Sequence, residues 1–307
     1  MLANFLRKST PAHFIYLILL LLAYFTATNY EQFTAEIDLG IVLQKLTFFI
    51  VLVFLLSIEV FVIRKNELTK DSAYALYFAL LLLASFNEAF KSEAFLGAAL
   101  FLMFASRKIY SLRSNKRIIA KVFDASLWIA VAFMYYNWTI LFSILLYGAL
   151  FNFRLLNWRT VLTPFIGWST VIAIFFSYHL LFDSLPIFYE AFIFDYSIGL
   201  DAFNEIRLAV PLLFYIGMAF LAIIVLIPKV IAGSNNFSRS WNTLILQFVV
   251  GIIIMLVTPD KNGASIYFVL MPLPIICTNY LELLHSKWIK NAILYAALLI
   301  SFLPYFL

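Results

Sequence analysis

Apolar stretches of about 20 residues recur along this chain, and each is long enough to cross a hydrocarbon layer of about 30 Å as a helix. Residues Ile41 to Ile63, IVLQKLTFFIVLVFLLSIEVFVI, are the plainest case. A backbone in lipid must satisfy its own hydrogen bonds, so a run without strand-like alternation has the helix as its solution. With 64% hydrophobic and 12% charged residues among 307, such runs consume nearly the whole length. Nothing remains for a soluble domain of about 50 residues or more. The expected fold is all-α: one integral membrane domain over residues 1–307, a polytopic transmembrane bundle in contact with the lipid bilayer.

Sidedness is set by the loop from Arg107 to Lys121, which holds six of the 21 Lys+Arg. A block that positive marks the cytoplasmic side. The run Ala125 to Phe151 is long enough for one helix, but Arg117 and Lys121 precede it and Arg154 and Arg159 follow it. A single crossing would put basic clusters on opposite faces. A hairpin broken near Tyr136, Asn137 and Trp138 keeps both inside. Counting it as two crossings gives about eleven spans, N-terminus in and C-terminus out. Two spans in the middle, Ala73 to Phe86 and Ala94 to Ala105, are short. They must tilt, extend through their polar ends, or shelter among neighbours. The longest external segment, Phe182 to Arg207, predicts an interfacial amphipathic helix over Leu185 to Phe194.

The net charge of +5 follows this sidedness, which excludes nucleic acid as a partner. The single cysteine, Cys277, allows no disulfide framework or thiolate metal site. No phosphate loop, HExxH, dinucleotide fingerprint or GxSxG occurs, so no cofactor is expected. His13, His179 and His285 are too scattered to suggest a metal.

Ionisable groups near the apolar layer are more informative, because insertion there costs about 2.5–3.5 kcal/mol. Glu59 stands five positions before Arg64, and snorkelling to the inner interface is the expected solution. On the outer side, Glu31, Glu36, Asp38, Glu88, Glu93 and other acids share a compartment with Lys45, Lys91, Arg207 and Lys261. Such a rim is either a solvated border or a polar cleft where a carboxylate takes a proton and a cation holds a phosphate.

Residues 85 to 182 resemble the middle of the C-type membrane glycosyltransferases, which use polyprenyl-phosphate sugars. The likeness is carried by NEAF, ALFLMFASRKIYSLRS, FDASLWIAVAFMYYNWTILFSILLYGALF and NWRTVLTPFIGWSTVIAIFF. It implies sugar transfer at the outer face, with an acidic base after the first span. Asp38 is then the first choice for the base and Glu36 the second, with Arg207, Lys261 and Lys91 as phosphate-binding cations. The loop here is short and its acids are separated. The whole chain, with its RKSTPAHF start, is also similar to uncharacterised polytopic inner-membrane proteins found in Bacteroidota, which implies the bacterial inner (cytoplasmic) membrane. Two other roles compete with the enzyme: a non-catalytic subunit or scaffold of a cell-envelope assembly, with membrane protein subunits as partners, and, third, a transporter. The transporter ranks last because no paired broken helices mark two symmetric halves.

Overall fold

The computed structural model describes residues 2–35, 39–197, 205–232, 235–259 and 261–306. In chain order the helices are α1 (Leu2–Phe5), α2 (Pro11–Thr28), α3 (Tyr30–Ala35), α4 (Leu39–Asn66), α5 (Tyr74–Ser85), α6 (Glu93–Tyr110), α7 (Ile118–Tyr135), α8 (Phe142–Asn152), α9 (Trp158–Leu181), α10 (Leu185–Glu190), α11 (Ile206–Ala232), α12 (Asn235–Val257), α13 (Pro272–Leu283) and α14 (Lys287–Phe302). Eleven of them, all but α1, α3 and α10, are longer than six residues, and they coincide one for one with the expected spans. Among the described residues, 8 helices are long and apolar enough to cross a membrane. This is a multi-pass membrane protein, and α5, α8 and α13 are the helices too short to cross alone.

The chain groups into two compact units. The first takes residues 1–93, 199–232 and 260–307. At its centre, every residue of α5 is buried. Twelve residues give a rise of only about 18 Å, well short of the hydrocarbon thickness. The deficit is tolerable because α2, α4, α11, α13 and α14 surround α5 in place of lipid. Its partner α13 is buried from Pro272 to Asn279. Each short helix is continued by a 3₁₀ turn, Asn87–Phe90 after α5 and Ala264–Val269 before α13. These two turns pack together, and the Tyr267 hydroxyl donates to the Ala89 carbonyl at 2.9 Å.

The second unit takes residues 94–198 and 233–259. Here α6 meets its length requirement differently, running on to Tyr110 and into a 3₁₀ turn, Ser111–Ser114. The basic loop is therefore shorter than the sequence suggested. Arg107 and Lys108 occupy the last turn of α6, where the helix dipole favours cations. Lys108 pairs with Asp124 at 2.6 Å, and Lys121 reaches the Ser111 carbonyl at 2.5 Å.

The 118–152 stretch breaks at Tyr136, whose backbone is extended at φ −156° and ψ 115°. Three polar tips pin the break: Tyr136 to Thr258, Asn137 to the Ile193 carbonyl, and Trp138 to the Asp195 carbonyl. From there α8 returns beside α12, and Asn152 donates to the Arg239 carbonyl and to Thr243. Tyr136 and Asn152 thus meet opposite ends of one helix, which is the geometry of a hairpin. Along α7, helix α9 approaches so closely that a Cβ on Gly167 would lie 2.1 Å from Ser126 Oγ and 3.0 Å from the Phe123 carbonyl oxygen. The predicted interfacial helix is shorter than expected: α10 stops at Glu190, and turns at Phe192 and Ile193 follow.

Candidate functional site

Of the described outer-rim candidates, Lys45, Glu88, Lys91, Glu93, Arg207 and Lys261 fall on the first unit, at the end where α2 finishes and α4 and α11 begin. Lys91 follows the 3₁₀ turn Asn87–Phe90, which is anchored by buried Ala89 and Phe90. Phe90 meets Phe25 edge-on at 6.0 Å, and Phe25 in turn stacks on Phe48 at 5.8 Å. Arg207 lies in the first turn of α11, beside buried Leu208. Lys261 precedes Gly263, whose φ of +89° belongs to the left-handed region that glycine enters without steric cost. A Cβ at Gly263 would come within 2.8 Å of Phe86 and 3.1 Å of Leu208. The glycine therefore draws together the three segments that carry Lys91, Arg207 and Lys261.

Charge at this end is mixed. Lys91 Nζ meets Glu88 Oε1 at 2.7 Å, and Arg207 Nε meets Glu205 Oε2 at 2.5 Å. All four side chains are more than a third exposed, so each pair contributes at most about 1 kcal/mol and exchanges readily for a competing anion. Lys45 of α4 lies within electrostatic reach of Glu93 and Lys91, and Gln44 donates to Glu93 Oε1 at 2.7 Å. Gln44 carried no charge signal in the sequence. Partial burial lowers the affinity of Lys261 for its proton below that of an ordinary lysine. The candidate bases Glu36 and Asp38 lie outside the described residues, as does Asp260; Ala35 closes α3 and Leu39 opens α4 on either side of the first two.

Two other sequence candidates resolve differently. Glu59 does not snorkel: it is 1% exposed, and neither carboxyl oxygen has a hydrogen-bond partner among the described residues. Its side chain leaves α4 on the packed face, between buried Ile58 and Val62, rather than following Arg64 to the interface. The histidines stay apart. His13 closes the capping box of α2 with Thr10, His179 bonds Ser184 at 2.7 Å in the second unit, and His285 follows α13.

Compared with known proteins, the chain matches no family model, no curated protein and no solved structure.

Proposed function

We propose that the protein transfers a sugar from a polyprenyl-phosphate donor at the end of the first unit that carries Lys91, Arg207 and Lys261. The observation that supports this reading most is the convergence at Gly263, which gathers three cation-bearing segments at one end of a lipid-embedded bundle. A leaving phosphate needs positive charge placed where its own charge develops. The weak pairs with Glu88 and Glu205 hold Lys91 and Arg207 in place until a phosphate takes over. Asp38 is assigned as the base that accepts the proton of the acceptor hydroxyl, with Glu36 in reserve.

The test is transfer of labelled sugar from a polyprenyl-phosphate donor in membranes containing the full chain. Asp38→Asn is expected to lower the rate by about 10²–10⁴-fold, the usual worth of a general base, with protein level and insertion unchanged. Glu31→Gln is expected to be mild. Full activity in both variants removes Asp38 from the mechanism.

A second reading, a non-catalytic subunit of an envelope assembly, draws on those same ion pairs, since a rim whose charges are mutually satisfied suits a solvated border. Stable co-purification of a membrane partner, with no transfer under any donor, would favour it. The transporter stays third. Helices α5 and α13 are short and paired, but their buried stretches carry hydroxyls, an amide and a thiol and no carboxylate, amine or imidazole to couple an ion.

A further inference from the structure

The opposite end of the first unit holds a cavity of about 360 Å³ bordered by Arg7, Lys70, Lys287, Lys290, His285 and Glu282. Its wall is built. The Ala3 N–H donates to Asn291 Oδ1 at 2.9 Å, the Tyr74 hydroxyl donates to the Ala3 carbonyl at 2.6 Å, and the Ala73 N–H donates to the Leu6 carbonyl at 2.9 Å. Those bonds strap α1 across the ends of α5 and α14, with Ala3 and Leu6 buried beneath it. The one carboxylate at the cavity is already committed: Glu282 accepts from the Lys70 N–H at 3.1 Å and from Ser72 Oγ at 2.8 Å. Among the described residues, none of the four cations has an ion-pair partner within 4.0 Å.

Four cations face one carboxylate around this hollow: Glu282 lies within electrostatic reach of Lys290 and favours its charge, Lys70 and Arg7 oppose it, and the net positive charge that remains is completed by an anion with several acceptor oxygens. The rim sets the depth. Trp288, next to Lys287, is 87% exposed, and Phe5 and Ile289 are also exposed. Aromatic side chains so placed sit at the headgroup layer, so the cavity opens where lipid phosphates lie. We propose that this cavity binds a phosphate group, with an anionic glycerophospholipid headgroup as the source that its position favours. The Lys287 and Lys290 ammonium groups contact the phosphate from α14, and Arg7 and Lys70 close on it from the strap and the loop before α5.

The proposal is tested on the full chain in detergent by thermal unfolding with added phosphatidylglycerol, phosphatidylcholine or inorganic phosphate. Phosphatidylglycerol is expected to raise Tm more than phosphatidylcholine does, and the gain is expected to shrink with added salt. Affinity is expected to fall about fivefold for each cation removed, so that Lys287→Gln with Lys290→Gln loses most of the effect and Lys287→Arg with Lys290→Arg keeps it. Stabilisation by phosphatidylglycerol alone identifies the lipid as the source, and stabilisation by inorganic phosphate identifies free phosphate; both uphold the site. Arg7→Gln, away from the packed face of α14, carries the same test should the double glutamine variant not fold. No response to any probe, a salt-independent response, or full response in a folded glutamine variant overturns the proposal.

Discussion

Glu59 carries an electrostatic cost at a single atom group. A carboxyl taken out of water with no partner for either oxygen is destabilising, and an apolar replacement of similar size removes that penalty without opening a void. Glu59→Leu is therefore expected to raise the Tm of the detergent-solubilised protein, by the equivalent of about 1–3 kcal/mol. A fall in Tm would mean that the carboxyl is held by a group that makes its burial favourable. Lys261 makes the opposite use of partial burial. Its proton affinity is lowered, so its charge disappears as pH rises through a value below the ordinary 10.5. In the window between that value and the unfolded one, the unfolded chain binds more protons and stability rises with pH. Under the proposed function, phosphate binding through Lys261 would run the other way and be lost on the alkaline side. Arginine stays charged there, so Lys261→Arg is expected to extend donor binding to higher pH, measured as a shift of the alkaline limb of the pH–rate profile.

The contact between α7 and α9 depends on what Gly167 lacks. Its missing Cβ would meet the Phe123 carbonyl, a backbone atom that cannot rotate away. Gly167→Ala is expected to lower Tm by the equivalent of about 1–3 kcal/mol of overpacking. Gly217, in α11, has nothing within 4 Å of its notional Cβ. Gly217→Ala is expected to be neutral or to stabilise by up to about 1 kcal/mol through helix propensity alone. Helix positions were largely legible in the sequence, because apolar length and flanking charge are local signals; even the break at Tyr136 could be placed from the basic clusters around it. The ends were less legible. Arg107 and Lys108 look like loop residues until the dipole at the end of α6 is considered, and α10 ends at Glu190 because turns replace its second half. Burial was hidden for a different reason: α5 and α13 read as short spans, and only tertiary neighbours reveal that they face protein and not lipid. At the candidate site, the partners of Lys91 and Arg207 stand three and two residues before them, within sight of the sequence. The Gly263 convergence joins positions far apart in the chain and has no local signature.

At the scale of the whole molecule, basic residues gather toward one end of the second unit, while in the first unit Arg7, Lys70, Lys287 and Lys290 lie at the end opposite Lys91, Arg207 and Lys261. In the second unit, Arg107, Arg113, Lys121, Arg154 and Arg159 lie near the ends of α6, α7, α8 and α9 away from the Tyr136 break. The positive-inside rule assigns that end to the cytoplasm. Reporter fusions at Arg113 and Asn157 are expected to read cytoplasmic and one at Asn137 to read external. Opposite readings at Arg113 and Asn157 would mean a single crossing and would overturn the hairpin. The enclosure of α5 has a further consequence, for biogenesis. Translation delivers α5 early, whereas α11, α13 and α14, which cover it, are made last. Tyr74 and Ser85 find their acceptors early, at the Ala3 and Leu81 carbonyls, but the Tyr77 hydroxyl must await the Leu294 carbonyl to which it finally donates. The nascent chain thus holds a helix too short to be a stable span, for which insertion and docking are separate events. Quality-control proteases that sample half-made membrane proteins would find their opening in that interval.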